Sequence, residues 1–342
     1  MKELAVHRRP LQQLATAALS DPGSRLAISG ATGWLGRALA NMASRAGLQT
    51  TNGRLRLFAS RDGCLPLATE ERARVEALST ADRLIGPGWR IAHFAALGKE
   101  RSEDLSPEDF LAEAATILDH MLDIACRADQ PRMIFSSSGT VYSATDDPKG
   151  NPYGHSKRRA EERLCGWCAH HHAPLLIARV FNVGGPFGNK VERYALSSML
   201  NVVLKSEPIR IRARMPVFRS YVHVEEILAL LLHLAGQTDD AGPAVFDSCG
   251  REIVELGDLA RVIVNVAGRG AEHDIERLFD PRLAADWYVG DPRDYQLQLV
   301  RAGLTPTGLV EIIRDAAAHL MSEEPRSGRS GTSQGLSVAR GA

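Results

Sequence analysis

Several things are scarce in this chain. It has no surplus of charge: Lys+Arg and Asp+Glu each number 41 in 342 residues, for a formal net charge of zero. A general nucleic-acid surface, which needs a basic excess, is therefore not expected. No apolar run approaches the ~18 residues of a membrane span. The stretch "MKELAVHRRPLQQLATAALSDPGS" has no continuous apolar segment and contains Pro10, which argues against a secretory leader. Cysteine is sparse and odd in number, five in all, which in a long chain reads as reduced thiols in a cytoplasm. What remains is ordinary for a globular protein: 44% hydrophobic and 24% charged residues, enough for one large or two modest domains with a core.

Glycine is where the pattern sharpens. "RLAISGATGWLGRALANMASRAG" passes from an apolar strand through Gly30, Gly33 and Gly36 into an amphipathic helix. That order of strand, glycine turn and helix gives the spacing its meaning. Gly30 and Gly33 permit a tight turn and close approach of a diphosphate to the helix N-terminus, and Gly36 lets helix and strand pack closely. Thr32, Trp34 and Leu35 lie in the same turn. A second strand, "RLRLFAS", ends at Ser60-Arg61 with Asp62 next. An Arg at this place accommodates the 2′-phosphate of NADP, whereas an acid binds the ribose of NAD. Ser60 and Arg61 favour NADP(H), and Asp62 keeps NAD(H) open. Residues 63–88 give no clear pattern.

"WRIAHFAAL" reads as a buried strand ending near Ala95 and Ala96, followed by a helix over 107–128. The strand "RMIFSSSGTVY" comes next, and "APLLIARVFNVGGPFG" runs later into a Gly-Pro loop. Strands alternating with helices predict a parallel doubly wound α/β sheet. In "NPYGHSK", Asn151 suits a helix cap and Pro152 the first helical position. Tyr153 and Lys157 then share one face, four residues apart. Taken alone the pair reads as a solvated helix contact. As an acid–base pair its phenol would have to fall from a pKa near 10 to about 7, roughly 4 kcal/mol, which needs a second positive charge. "CGWCAHHH" invites a metal, but Cys165 lies about 18 Å along the helix from Tyr153 and His171 about 27 Å, so no metal is assigned. The N-terminal Leu11, Leu14, Ala15, Ala18 and Leu19 suit a short amphipathic helix.

Together "GATGWLG", "HFAAL", "FSSSGTVY", "YGHSK", "ARVFNVGGP", "FRSYVHVEEI" and "VFDSCGREIVELGDLA" resemble the extended short-chain dehydrogenase/reductase superfamily, in its NAD-dependent epimerase/dehydratase branch, over about residues 25–315. The resemblance implies a Rossmann-type sheet with a smaller C-terminal α/β substrate lobe, a nicotinamide cofactor and a nucleotide-activated sugar as substrate. It implies Tyr153 as general acid/base, Lys157 as its partner on the nicotinamide ribose, and Ser138 as the hydroxyl facing the reacting oxygen with Thr140 beside it. Ala95, Ala96 and Val183 are implied at the cofactor, and Asn182 and Arg219 on the phosphate side of the substrate.

Three departures stand out. Gly139-Thr140 replace the Asp-Glu pair of the dehydratases, Ala114 stands where an asparagine is usual, and Ser220 stands where an aspartate usually follows the arginine. The expected layout is an N-terminal extension (1–24), a dinucleotide domain (25–181, rejoined by 220–250), a substrate lobe (182–219 and 251–321) and a disordered tail (322–342). Helices 107–128 and 153–172 are expected to form a homodimer. The expected activity is an NADPH-dependent keto-sugar reductase. Its alternatives are an NAD-dependent epimerase and a non-catalytic dinucleotide-binding regulator.

Overall fold

A computed structural model describes residues 8–144, 147–237, 244–270 and 273–323. Helix α1 (Arg8–Ala18) precedes β1 (Arg25–Ser29), α2 (Trp34–Arg45), β2 (Leu55–Ala59), β3 (Gly63–Leu65), β4 (Ala73–Ala77) and β5 (Trp89–His93). Then come α3 (Pro107–Ala125), β6 (Arg132–Ser138), α4 (Pro152–His170), β7 (Leu175–Val180), β8 (Val183–Gly184) and α5 (Ala195–Leu204). Next are β9 (Ile209–Ile211), β10 (Val217–Ser220), β11 (Val222–His223), α6 (Val224–Gln237), β12 (Ala244–Asp247) and β13 (Ile253–Glu255). The chain continues through α7 (Leu256–Val266), β14 (Ile275–Arg277), β15 (Asp286–Tyr288), α8 (Pro292–Arg301) and α9 (Leu309–Glu323).

Among the described residues, eight strands form one sheet in the order β12-β7-β6-β5-β1-β2-β4-β3. Its pairs are parallel except β3–β4, an antiparallel edge. This edge occupies the stretch that gave no pattern in sequence, because β3 has three residues and only Leu65 of them is buried. Side chains of a strand alternate between faces, and here each face has its own core. Leu26 and Ile28 pack with α1, α2, α6 and α8, while Ala27 packs with α3 and α4. Near-continuous apolar strands such as β7 follow from burial on both faces.

Helix α3 is shorter than expected, ending at Ala125, and α4 spans Pro152 to His170. Helix α4 starts by the chemistry read from sequence: Asn151 accepts a hydrogen bond from the Gly154 N–H, with Pro152 next. A third core, on α5, α7 and α9, belongs to the smaller lobe, with the sheet β13-β10-β15 beside it. Helix α8 departs from the expected layout. Tyr295 and Leu299 sit in the first core, beneath the large sheet, so this part of 251–321 packs on the dinucleotide side. Of the stretch expected as a tail, residues 322 and 323 finish α9 and 324–342 lie outside the described residues.

Helix α1 is held by charge as well as by Leu11 and Ala15. Arg8 donates from Nε and a terminal nitrogen to the two carboxylate oxygens of buried Glu225, each at 2.6 Å, and Arg45 reaches Glu225 at 2.7 Å. Arg8 also lies 3.6 Å from Asp315 on α9. His223 accepts the Glu225 N–H at Nδ1 (3.1 Å), so its proton is on Nε2, facing Asp315 at 3.1 Å.

Candidate active site

The glycine turn is shaped by what its neighbours leave no room for. Gly30 has φ +73° and an added Cβ would stand 2.7 Å from the Ala95 N. At Gly36 an added Cβ would stand 2.1 Å from the Gly30 carbonyl oxygen, so helix α2 can lie on β1 only if this residue is glycine. Gly33 caps α2 without a side chain to occupy the first N–H groups. Those donors and the positive end of the helix dipole face the turn, a fit for a diphosphate.

Trp34, Thr32 and Leu35 make contacts of another kind. Trp34 donates through Nε1 to the Pro186 carbonyl at 2.7 Å and meets the edge of Tyr194 at a centroid distance of 5.2 Å. Asn189 donates to the Thr32 carbonyl at 3.0 Å, and Leu35 packs on the first core. The segment 186–194 is thus tied across the start of α2. At the end of β5, the Ala95 N–H donates to Ser29 Oγ at 3.3 Å, and Ala96 is exposed. At the end of β2, Ser60 and Arg61 are exposed. Asp62 is engaged, accepting the Ala77 N–H at 2.8 Å.

Ser138 closes β6. Its Oγ accepts from Thr140 Oγ1 at 3.0 Å and lies 3.2 Å from the Tyr288 hydroxyl, 150 residues away in sequence. Lys157, buried, donates from Nζ to the Ser136 carbonyl at 2.8 Å and sits 5.9 Å from the centroid of the Tyr153 ring. Ser138, Thr140, Tyr153 and Lys157 therefore converge at the carboxyl end of β6. Burial, joined by the neighbouring Tyr288 and Tyr194, raises the Tyr153 phenol well above its ordinary value, and Ser138 opposes this. Burial pushes Lys157 down to about 8 while Glu161 pulls it back up. In this state desolvation outweighs the cation that the helix spacing places beside the phenol. His93, hydrogen-bonded to Ser29 Oγ at 2.7 Å, is pushed down to about 3 by burial and Lys157, and stays neutral.

On the lobe side, Arg219 pairs with Asp286 at 2.7 Å and lies 5.8 Å from the Tyr288 ring centroid. Asn182 donates to the carbonyls of Ser220 and Tyr288, each at 3.2 Å, joining the end of β7 to β10 and β15. Val183 pairs with Val222 in the β8–β11 ladder. Gly139 has a local reason: an added Cβ would stand 2.4 Å from the Phe181 ring, so an aspartate is excluded there while Phe181 keeps its place.

The sequence reading missed Tyr288, which sits in "DWYVGD" with no spacing that ties it to Ser138. It also missed a polar ladder across the strand ends. Ser137 Oγ donates to Glu161 (2.5 Å), and Arg179 donates to both Glu161 oxygens (3.0 and 2.7 Å) and to the Tyr142 hydroxyl (2.9 Å). Tyr142 in turn donates to Asp247 at 2.9 Å. Glu161 did carry a signal, since it falls four residues after Lys157.

Residues 26–247 match the model of the NAD dependent epimerase/dehydratase family. The chain belongs to this family. Within the epimerase/dehydratase family, a curated relative is UDP-glucuronic acid decarboxylase 5 of Arabidopsis thaliana, 27% identical over 164 residues. That match takes in 43% of this chain and 47% of the relative, so the chain spans about half the length of the curated relative it matches. Among solved structures, MoeE5 in complex with UDP-glucuronic acid and NAD aligns at TM-score 0.65 with 21% identity, over 87% of this chain and 99% of that one. The UDP-N-acetylglucosamine 4-epimerase of Methanobrevibacter ruminantium M1, in complex with UDP-N-acetylmuramic acid, aligns at 0.65 with 17% identity, over 87% and 98%. The Thermus thermophilus UDP-glucose 4-epimerase complex with NAD aligns at 0.62 with 18% identity, over 87% and 99%. At these identities the likeness is one of fold, and it matches the Rossmann-type sheet expected from sequence. No helix among the described residues is long and apolar enough to cross a membrane.

Proposed function

We propose that this protein is an NADP(H)-dependent oxidoreductase that reduces a keto group on a nucleotide-linked sugar. The observation that carries the reading is the convergence of Ser138, Thr140, Tyr153 and Lys157 at the end of β6. Tyr153, kept protonated by burial, is in the form that donates to an alkoxide developing on a sugar ketone. Ser138, its Oγ accepting from Thr140, would present its hydroxyl to the same oxygen, worth most in a water-excluded site. Lys157 holds a cation beneath the phenol and steadies the nicotinamide ribose. A nicotinamide dinucleotide, held by Gly30, Gly33, the first turn of α2, Ala95, Ala96, Val183 and Lys157, supplies the hydride when bound.

Arg61 supports the choice of NADP(H). It is exposed at the end of β2 and pairs with no carboxylate among the described residues, while Asp62 is spent on Ala77. A guanidinium fork matches a 2′-phosphate. On the sugar side, Asn182 and Arg219 would meet the substrate's phosphates once Arg219 leaves Asp286, and the lobe built on α5, α7 and α9 would close over the sugar. A second protomer would dock on α3 and α4.

An NAD-dependent epimerase is the second reading, favoured by neighbours of the same fold that are epimerases or hold NAD. The deciding experiment supplies NADPH or NADH with a 4-keto nucleotide sugar and follows absorbance of the reduced nicotinamide. Stoichiometric consumption of NADPH supports the reductase. Conversion of a nucleotide sugar without net consumption supports the epimerase. Dinucleotide binding with no turnover of any nucleotide sugar supports a regulator.

A further inference from the structure

Helix α4 carries Tyr153 and Lys157, and β6 carries Ser138, so the site works only if helix and strand hold one relative position. Two contacts set it, both on the residues just before Ser138. Lys157 Nζ donates to the Ser136 carbonyl at 2.8 Å, and Ser137 Oγ donates to Glu161 at 2.5 Å. Glu161 lies one helical turn beyond Lys157, and residues at that spacing are neighbours on the helix surface. Its carboxylate is also clamped by Arg179 from β7, at 2.7 and 3.0 Å, and the residue is 8% exposed. Arg179 alone would be enough to tie β7 to α4. An ion pair with only that role would not also take the Ser137 hydroxyl.

We propose that Glu161 is a positioning residue of this site: through Ser137 and Arg179 it fixes α4 against the ends of β6 and β7, and its charge keeps the buried Lys157 an ammonium. Glu161 opposes the burial that pushes Lys157 down to about 8. Other groups around Lys157 are accounted for. His93 on β5 is neutral, and Arg179 on β7 is engaged by Glu161 itself. Tyr153 on α4 is a neutral phenol, and Glu100, in the turn after β5, acts on Tyr153 and pairs with Lys190. Asp119 on α3 pairs with Arg163 on the solvent side.

The turnover part of this inference rests on the proposed function, but its main test does not. The full chain, Glu161→Gln and Ser137→Ala are melted without ligand from pH 6 to 10. A lysine whose folded pKa lies below its unfolded value binds more protons when unfolded between the two. Stability therefore rises with pH from about 8 towards the unfolded value. In Glu161→Gln the onset of that rise should fall by about one pH unit, the effect of losing one close opposite charge. In Ser137→Ala, where charge is kept, the onset should stay. The same two variants are titrated with NADPH across this range, where the alkaline loss of binding should shift in parallel. Onsets that coincide in all three proteins overturn the proposal.

Should Glu161→Gln not fold, Glu161→Asp and Ser137→Ala decide. The aspartate should keep the unaltered onset, and Ser137→Ala should lower turnover about two- to tenfold. A moved onset in the first, or unchanged turnover in the second, overturns the proposal. A chain that binds no nicotinamide dinucleotide would defeat the functional reading, and the melting profiles would still judge Glu161.

Discussion

At the glycine turn the geometry is set by missing side chains, Gly30 and Gly36 admitting backbone at 2.7 and 2.1 Å from where a Cβ would be. At the end of β6 it is set by side chains from distant parts of the chain, with Ser138 and Tyr288 meeting at 3.2 Å. Errors in the first region press on backbone that cannot move, so they act on folding and on the cofactor. Errors in the second remove a hydroxyl from an intact frame, so they act on rate and on the substrate.

The largest expected effect would sharpen this contrast. Tyr153→Phe should leave the melting temperature and dinucleotide affinity nearly intact and cut turnover about 10²–10⁴-fold, the usual contribution of general acid catalysis. Turnover at the unaltered rate, measured by stopped-flow absorbance of the reduced nicotinamide, would make the tyrosine an ordinary helix residue. On the other side, Gly36→Ala should behave in the opposite way. Overpacking of this kind typically costs about 1–3 kcal/mol, read as a lower midpoint in denaturant titration together with weaker dinucleotide binding. A variant as stable as the unaltered protein would show that β1 and α2 can separate, breaking the comparison.

Arg61→Ala tests the cofactor half without touching its frame. Loss of a charge-assisted contact worth about 1.5–3 kcal/mol should weaken NADPH roughly ten- to over a hundredfold and leave NADH almost unchanged. Equal affinity of the unaltered protein for both would refute the assignment and return Asp62 to the ribose. The smallest effect belongs to Tyr288→Phe. One hydrogen bond to Ser138 is worth about 0.5–1.5 kcal/mol, so kcat should change about two- to tenfold with dinucleotide affinity constant. A change in dinucleotide affinity instead would place Tyr288 with the cofactor rather than the substrate.

The same contrast explains what is legible in the sequence. The β1–turn–α2 unit is contiguous, so its spacing carries its geometry, and Asn151-Pro152 announces the start of α4 by local chemistry alone. The site residues grouped by resemblance, Ser138, Thr140, Tyr153 and Lys157, lie within one β6–α4 crossover, which brings them close together. Tyr288 joins them through tertiary packing, and no period or motif links "DWYVGD" to "SSSGT". The edge pair β3–β4 was hidden because β3 has three residues with one buried, and β4, though buried at Ala73, Val75 and Ala77, has only one large apolar side chain to mark its alternation. The direction of the Tyr153 shift was also out of reach. Spacing places Lys157 beside the phenol, but only packing tells how dry the place is.

The charge cluster under α1 has a consequence for where this chain can be divided. The family match begins at residue 26, after α1. Yet Arg8 supplies one of the two guanidinium groups that meet Glu225, which is 2% exposed, and it lies beside Asp315, also 2% exposed. A fragment cut at the border of the match would leave Glu225 to Arg45 alone and uncover the surface that Leu11 and Ala15 fill, and loss of large buried apolar side chains typically costs about 2–5 kcal/mol each. That is a large share of a domain's whole stability. Ancestry and packing thus have different borders here: the piece that shows kinship is shorter than the piece that packs together.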